Sequence, residues 1–239
     1  MSEDRSASAE CEPMPASATR VFGDRVGLAA EYARVLTEEG VLRGLIGPSE
    51  LSRLWTRHIL NCGVLGEVIE DGSSVFDIGS GAGLPGIPLA VARPDIDITL
   101  IEPLLRRTTF LDEIVERLGL NNVTVVRGRA EEKAVLAKVG TADVVTSRAV
   151  APLERLADWS APLIRVGGRL VALKGRSVAE EIERDRTAVK KAGLVDLTVT
   201  QCGGDVLDEP TTLLIGSRVQ TDKDAAAARR AARRAKRKR

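Results

Sequence analysis

The 239 residues are 44% hydrophobic and 29% charged, which suits one large α/β domain with an added segment, or two small domains. No apolar run approaches the roughly 20 residues that span a bilayer, so no transmembrane segment is expected. A single histidine and three scattered cysteines, Cys11, Cys62 and Cys202, predict neither a metal site nor a disulfide framework, and the expected location is cytoplasmic.

The net charge of +1 conceals an uneven distribution. The last fifteen residues, AAAARRAARRAKRKR, contain eight basic side chains and no acidic one. The rest of the chain holds 27 basic and 34 acidic side chains and is therefore acidic. This segregation predicts an acidic body and a basic tail over residues 221–239.

Residues 1–20, MSEDRSASAECEPMPASATR, lack the basic start and the apolar stretch of a signal peptide. Their acidic, Ser- and Ala-rich composition predicts a disordered lead-in.

Residues 21–70 are predicted to form a helical segment, because residues of one face recur there at helical spacing. These positions are Phe22, Val26, Ala29, Ala33 and Leu36, followed by Leu51, Leu54, Trp55, His58 and Cys62.

From residue 73 the pattern alternates between strands and helices. Strands are predicted at 74–78, 97–102, 122–127, 142–147, 168–173, 194–200 and 211–216, with helices in the first five gaps. The last gap, QCGGDVLDEP, is too short for a helical crossover, so the final two strands should pair antiparallel. The predicted fold over 71–220 is α/β: a doubly wound, Rossmann-like, seven-stranded and mostly parallel sheet with one antiparallel strand.

The stretch VFDIGSGAGLPGIPLA, residues 75–90, joins the first strand to the first helix of the sheet through a glycine loop. Gly79, Gly81 and Gly83 can adopt positive φ and lack a Cβ, so a ligand can approach the backbone closely. A strand, a glycine loop and a helix in this order are typical of nucleotide-binding sites. Glu102 ends the second strand about 20 residues later, where an acid would bind a ribose.

Spacing alone leaves two ligands open, NAD and S-adenosylmethionine. GAGLPG, residues 81–86, matches the dinucleotide pattern, but counting from Gly79 places Leu84 where the last glycine is due. Asp77 at the strand end would repel a pyrophosphate and attract an ammonium group. We therefore favour S-adenosylmethionine, and VFDIGSGAG resembles the first motif of class I methyltransferases. An NAD-dependent enzyme is the alternative.

The fourth strand ends in DVVTSRAVAPL, residues 143–153, where class I methyltransferases often present the group that handles the acceptor. This segment has neither the Asn/Asp-Pro-Pro-aromatic motif of amino-group methyltransferases nor a nucleophilic cysteine. Guanine N7 carries a free lone pair and needs only correct positioning. The sequence therefore predicts no catalytic base, and Arg148 is the candidate for positioning the substrate.

Five motifs in order resemble the bacterial small-subunit ribosomal RNA guanine-N7 methyltransferase family (RsmG, formerly GidB): RHILN, DIGSGAGLPGIPLA, RTTFLDEIVERLGL, VVRGRAEE and SRAVAPL. The resemblance runs from about Phe22 to Gly216. It implies S-adenosyl-L-methionine as the cofactor and, as the substrate, a guanine of 16S rRNA near the decoding region of the small subunit. It also implies cofactor contacts at Gly79, Leu84, Ala130, Glu131 and Arg148.

The residues themselves add three cofactor positions. We expect Asp77 to bind the ammonium group, directly or through water, and Glu102 to bind the ribose hydroxyls. Gly81 belongs to the loop that the cofactor approaches. Ala130 and Glu131 follow the third strand, where class I methyltransferases hold the adenine.

Outside the cofactor site, several side chains have two interpretations. Arg57 and His58 of RHILN are predicted to lie near the RNA, although His58 could instead be a hydrogen-bonded core residue. Lys174 ends the fifth strand and is either a phosphate contact or a solvated loop lysine. Arg148 could pair with Asp143 or Glu154 instead of facing the pocket. The two tryptophans, Trp55 and Trp159, are predicted to serve in packing.

The basic tail is predicted to bind RNA phosphates through Arg229, Arg230, Arg233 and Arg234, with a strong salt dependence. A free tail would be disordered, and its alanines would favour a helix once phosphates neutralise the arginines. The assembled or partly assembled small subunit is the expected partner of a monomeric enzyme. The non-enzymatic alternative is an RNA-binding assembly factor with a vestigial cofactor pocket.

Overall fold

The computed structural model describes residues 11–148, 150–222, 224–226 and 229. Its centre is a seven-stranded sheet in the order β3-β2-β1-β4-β5-β7-β6. Strand β7 lies between β5 and β6 and is antiparallel to both, whereas β1 to β5 are parallel to one another. The strands are β1 Ser74–Ile78, β2 Asp97–Glu102, β3 Val123–Arg127, β4 Ala142–Arg148, β5 Ile164–Leu173, β6 Leu194–Cys202 and β7 Thr211–Arg218.

The predicted doubly wound sheet with one antiparallel strand is confirmed. The five predicted crossover helices are present. Two of them, Leu105–Leu118 and Val178–Ala192, end at glycines with left-handed φ, Gly119 and Gly193. Glycine is the usual residue at this position because it lacks a Cβ. The crossover helices are α4 Gly86–Ala92, α5 Leu105–Leu118, α6 Lys133–Val139, α7 Leu153–Ser160 and α8 Val178–Ala192.

Two hydrophobic clusters lie on the two faces of the sheet. Adjacent residues of β1 illustrate the division, because Val75 belongs to one cluster and Phe76 to the other. The Val75 cluster contains α4, α5 and the whole N-terminal helical segment, and the Phe76 cluster contains α7 and α8. The N-terminal segment therefore covers one face of the sheet as a third element beside α4 and α5.

The N-terminal segment is helical, as predicted, but it is broken into short pieces of several helix types. Its α-helices are α1 Ala18–Phe22, α2 Val26–Val35 and α3 Asn61–Gly63. Turns of 3-10 helix occupy Gly23–Arg25, Pro48–Arg53 and Val64–Val68, and π-helical turns occupy Leu36–Gly40 and Leu54–Leu60. Such irregular turns are frequent at functional sites.

The prediction of a disordered lead-in over 1–20 is wrong for residues 11–20; residues 1–10 lie outside the described part of the chain. Glu12 donates its backbone N–H to the Leu51 carbonyl at 2.9 Å. Its carboxylate accepts from the N–H groups of Trp55 and Thr56 at 2.8 and 3.0 Å. Composition did not reveal this role, in which an acidic side chain caps the first turn of a distant helix.

The basic tail begins with the capped N-terminus of a helix. Thr221 and Asp224 cap one another: the Thr221 N–H donates to the Asp224 carboxylate at 2.7 Å, and the Asp224 N–H donates to the Thr221 hydroxyl at 3.3 Å. The same carboxylate pairs with Arg218 of β7 at 2.8 Å. Residues 222, 224–226 and 229 are helical, so the predicted RNA contact Arg229 is described and exposed, whereas Arg230, Arg233 and Arg234 lie outside the described residues.

Within the described part of the chain, every helix is too short or too polar to traverse a lipid bilayer.

Candidate cofactor site

The glycine loop runs from Gly79 to Pro85 and connects β1 to α4. Gly79 and Gly83 have φ values of 69° and 98°, in the region that favours glycine. A Cβ at Gly79 would lie 2.9 Å from the Val150 side chain, and one at Gly83 would lie 2.5 Å from Ile87. These two glycines are therefore required by the packing of the loop as well as by its conformation.

The loop satisfies most of its own N–H groups. Gly79 donates to the Ile101 carbonyl at 2.8 Å, and both Gly83 and Leu84 donate to the Ser80 carbonyl, at 2.7 and 3.0 Å. Gly81 donates to the Glu102 carboxylate at 3.0 Å. Loops that bind phosphate leave such N–H groups free for the ligand. This loop therefore presents few donors to an anion.

A cavity of about 470 Å³ opens at the carboxyl ends of β1, β2 and β4, beside the residues that follow β3. The chain order reverses between β1 and β4, and ligands of open α/β sheets bind at such a switch point. The volume falls within the range of small-molecule sites. The lining residues are Ile78, Gly79, Ile101, Glu102, Pro103, Leu104, Arg107, Arg129, Ala130, Glu131, Arg148, Val150 and Trp159.

The structure brings together five of the eight predicted cofactor residues around this cavity: Gly79, Glu102, Ala130, Glu131 and Arg148. The other three, Asp77, Gly81 and Leu84, are not among the lining residues. Leu84 is buried in the cluster beneath the loop, and Gly81 is bonded to Glu102. These three residues therefore support the wall of the cavity from behind.

Glu102 is nearly completely buried at the end of β2, and both of its carboxylate oxygens accept backbone N–H groups. Oε2 accepts from Gly81 at 3.0 Å, and Oε1 accepts from Leu104 at 3.0 Å. The guanidinium of Arg107 lies 3.7 Å from Oε2. The side chain is thus held rigidly at the cavity wall with lone pairs left for hydroxyl donors.

Asp77 is fully buried beneath the loop. Its Oδ2 accepts the N–H of Gly86, the first residue of α4, at 3.1 Å, and its Oδ1 has no partner among the described residues. Burial raises the pKa of this carboxyl from 3.8 to about 7. The carboxyl therefore occupies the start of α4, where a dinucleotide fold would place a pyrophosphate.

Arg148 ends β4 and lines the cavity. Its Nη1 donates to the backbone carbonyl of Arg57 at 3.4 Å. The alternative of an ion pair with Asp143 is wrong, because Asp143 instead bonds Ser74 and Arg165. No described carboxylate, Glu154 included, lies within ion-pair distance of Arg148.

The predicted RNA contact at His58 is contradicted, because the side chain is only 4% exposed and cannot reach a bound RNA. Its Nε2 lies 2.7 Å from Oε2 of Glu50, so the alternative of a hydrogen-bonded core histidine is correct. Burial, helped by the charge of Arg148, lowers the pKa of His58 to about 4. The neighbouring Arg57 side chain is 60% exposed and stays available to a partner.

Both interpretations of Lys174 are wrong. Its side chain is 9% exposed, and its Nζ pairs with Oε2 of Glu181 at 2.6 Å. A lysine in a largely buried ion pair is not free to bind a phosphate, nor is it a solvated loop residue. This contact could not be predicted from a sequence pattern, because Glu181 lies seven residues away on α8.

Three charged or aromatic residues that line the cavity were not assigned to it by sequence analysis: Arg107, Arg129 and Trp159. Arg107 lies on the first turn of α5 after Glu102, and Arg129 directly precedes Ala130, so their neighbours could have indicated them. Trp159 was assigned to packing, but its ring lines the cavity with the Arg155 guanidinium 5.8 Å from its centroid. Trp159 follows Arg155 by four residues on α7, and this spacing could have indicated that the two side chains are in contact.

The described lining residues include no histidine, cysteine, lysine or serine. Their charged groups are three guanidiniums and two carboxylates, which can orient a ligand with both positive and negative groups. Such a wall favours chemistry that depends on positioning and electrostatics over covalent catalysis.

Comparisons with known proteins identify the family of this chain. The sequence model of the family described as rRNA small subunit methyltransferase G matches residues 26–209. A protein named ribosomal RNA small subunit methyltransferase G from Corynebacterium efficiens is 62% identical over 200 residues, which cover 84% of this chain and 86% of the relative. A relative of the same name from Streptomyces avermitilis is 54% identical over 229 residues, which cover 96% and 94%.

Solved structures with a similar fold include M. jannaschii TYW2 in complex with AdoMet, with a TM-score of 0.51 and 19% identity over 70% of this chain and 78% of that chain. Fibrillarin from Aeropyrum pernix, with natively bound S-adenosyl-L-methionine, has a TM-score of 0.51 and 19% identity over 67% and 75%. These structures share the Rossmann-like methyltransferase fold. The family match and the high identity of the relatives show that this chain belongs to the rRNA small subunit methyltransferase G family, as its motifs predicted.

Proposed function

We propose that the protein transfers a methyl group from S-adenosyl-L-methionine to N7 of a guanine in 16S rRNA, near the decoding region of the small subunit. It acts as a cytoplasmic monomer. The observation that carries the proposal is the cavity at the switch point of the sheet, whose described lining residues include a buried carboxylate but no cysteine, serine, lysine or histidine. Membership of the rRNA methyltransferase family supports the same conclusion.

The loop geometry favours S-adenosylmethionine over NAD. Four N–H groups of the glycine loop are already bonded within the protein, and the carboxyl of Asp77 occupies the start of α4. A pyrophosphate would find few donors and a nearby carboxylate. A cofactor with no phosphate needs neither the donors nor the helix start.

Each part of the cofactor has a matching group in the site. Glu102 would accept from the ribose hydroxyls, and the segment Ala130–Glu131 would border the adenine. Gly79 allows close approach of the ligand to the loop. Asp77 lies behind the loop with a free Oδ1, and it would attract the ammonium group through a bridging water. Arg148 would bind the methionine carboxylate or orient the guanine.

The chemistry requires only alignment. S-adenosylmethionine supplies an electrophilic methyl group on a positively charged sulfur. The N7 lone pair of guanine forms the new C–N bond as the C–S bond breaks, so the positive charge moves from sulfur to the base and no proton is transferred. The protein's residues would hold the two reactants in line and exclude water, and this chemistry needs no histidine, lysine or cysteine, none of which is among the described lining residues.

The basic tail is the proposed RNA attachment. Its eight charges offset the acidic body, and its helix start is fixed to β7 by the Arg218–Asp224 pair. Arg229 and the exposed Arg57 would contact phosphates, together with Arg230, Arg233 and Arg234. This attachment is independent of sequence, so the subunit surface would supply the selection of the target base.

Two experiments test the function. Small subunits from a strain that lacks the gene are incubated with the protein and S-adenosylmethionine carrying a labelled methyl group, and we expect label at one guanine N7 of 16S rRNA. Binding to subunits without label would favour the non-enzymatic assembly factor. Thermal unfolding with S-adenosylmethionine or NAD should show stabilisation by S-adenosylmethionine alone, and stabilisation by NAD would favour the oxidoreductase alternative.

A further inference from the structure

Arg148, which lines the cavity, also contacts the N-terminal segment. The Arg148 guanidinium donates to the backbone carbonyl of Arg57, which is 91 residues earlier in the chain. Arg57 lies in the π-helical turn Leu54–Leu60, directly after the 3-10 turn Pro48–Arg53. A cavity side chain at the end of β4 therefore takes part of its position from a segment outside the sheet.

The turn that carries this carbonyl is held by one carboxylate. Glu50 Oε2 lies 2.7 Å from Nε2 of His58 and 3.7 Å from Nε of Arg57. Its other oxygen pairs with Arg53. Glu50 thus connects the turn Pro48–Arg53 to the turn Leu54–Leu60. A hydrogen bond to a charged acceptor is stronger than one between neutral groups.

His58 makes its bond as a neutral ring. Burial and the nearby charge of Arg148 keep its pKa near 4, so at neutral pH a single ring nitrogen carries a proton. That nitrogen is Nε2, because it faces a carboxylate. Nδ1 is then a bare acceptor, and it has no partner among the described residues. A neutral ring adds no further positive charge beside the guanidinium.

We propose that Glu50 and His58 are positioning residues for methyl transfer: their hydrogen bond holds the Arg57 carbonyl, and that carbonyl aligns the Arg148 guanidinium in the cavity. The inference rests on the proposed function, in which Arg148 contacts the cofactor or the guanine. No described carboxylate pairs with Arg148, so its hydrogen bond to the Arg57 carbonyl is one of the polar contacts that set its orientation.

The test is a double-mutant cycle between His58 and Arg148. His58→Asn removes the Nε2 donor, and His58→Gln places an amide N–H close to the position of Nε2. We measure the affinity for S-adenosylhomocysteine by calorimetry and the single-turnover rate on small subunits, for each variant alone and combined with Arg148→Ala. Ile59→Val, a buried neighbour on the same turn, controls for general loss of packing.

We expect His58→Asn to lower the affinity or the rate about tenfold in the wild-type background and less than about twofold in the Arg148→Ala background. His58→Gln should restore most of the loss, and Ile59→Val should have the same small effect in both backgrounds. If His58→Asn does not fold, Glu50→Ala provides the same cycle. Equal effects of the variant in both backgrounds would overturn the inference.

The two proposals fail in different ways. A wild-type protein that neither binds S-adenosylhomocysteine nor methylates subunits would refute the proposed function. A wild-type protein that does both, with additive effects of His58 and Arg148 variants, would refute only the positioning role.

Discussion

The hydroxyl of Tyr32 donates a hydrogen bond to the backbone carbonyl of Ala82 at 2.8 Å. Tyr32 lies on α2 of the N-terminal segment, and Ala82 lies in the glycine loop; both are buried. The loop that borders the cavity is thus tied at its middle to a helix outside the sheet. The N-terminal segment therefore supports the loop of the candidate cofactor site.

Replacing Tyr32 by Phe should loosen the glycine loop. The substitution leaves the buried Ala82 carbonyl without its donor, which costs about 1–3 kcal/mol of folding free energy. We also expect weaker binding of S-adenosylhomocysteine, measured by calorimetry beside urea unfolding. Thr108→Val, which removes a buried hydroxyl bonded within α5, should lower stability without weakening binding. Equal affinity losses in the two variants would show that the Tyr32 bond has no specific effect on the loop.

Asp77→Asn should make the free protein more stable above neutral pH. Burial raises the pKa of Asp77 from its usual 3.8 to about 7 in the folded protein, so the fold favours the protonated form. Its favourable contribution is complete below pH 3.8 and is lost as the pH rises through 7. The neutral amide avoids a penalty of about 4 kcal/mol at pH 8. Urea unfolding of both proteins at pH 5 and pH 8 measures the difference, which should be larger at the higher pH.

The same carboxyl should make cofactor binding depend on pH. A cationic ligand favours the ionised form of Asp77, so binding near pH 7 should release a proton, and the affinity should rise from pH 6 to pH 8. Calorimetry in buffers of different ionisation enthalpy counts the proton. Asp77→Asn should bind more weakly and lack this component of the pH dependence. An identical pH profile for the two proteins would rule out a role for Asp77 in binding.

Glu102→Gln should impair both the loop and the ligand. The carboxylate accepts N–H groups with both oxygens, and a glutamine turns one acceptor into a donor that faces the Gly81 or Leu104 N–H. We expect an affinity loss of about tenfold or more for S-adenosylhomocysteine. Glu116→Gln, the same change on the exposed side of α5, is the control. A Glu102→Gln protein with normal affinity would contradict the ribose contact.

Removing residues 225–239 should reduce the salt dependence of binding to small subunits. Eight positive charges are lost, so the slope of log affinity against log salt should fall in magnitude by up to about 6. Fluorescence titrations at several salt concentrations measure the slope. Lys174→Met also removes a positive charge, but from the pair with Glu181, and should leave the slope unchanged. A slope unaffected by the truncation would exclude the tail from RNA binding.

The sequence was sufficient to predict the sheet, because its strands are apolar runs separated by clear helical patterns. The antiparallel pairing of the last two strands follows from the short last gap, whereas the insertion of β7 between β5 and β6 was not predicted. The glycine loop and Glu102 could be located for the same reason, since the carboxyl ends of neighbouring parallel strands meet at one edge. Family motifs then directed attention to Ala130, Glu131 and Arg148.

What could not be predicted depends on contacts between distant segments. Lys174 and Asp77 are ordinary charged residues in the sequence, and only the fold buries one against Glu181 and the other under α4. Composition suggested disorder around Glu12, whose carboxylate instead caps a turn more than forty residues away. Trp159 was assigned to packing, because its position on a helix does not reveal that the residue lines a cavity.

The place of β7 in the sheet has a consequence for the biosynthesis of the protein. It is the last strand in the chain, yet it lies between β5 and β6, so β6 cannot join the sheet until residues 211–218 have emerged. Thr211 also donates its hydroxyl to the Asn61 carbonyl at 3.2 Å, which ties the N-terminal segment to the same late strand. A nascent chain therefore completes this sheet only after residues 211–218 have emerged, and a chain that stops before β7 leaves β6 without a strand to pair with.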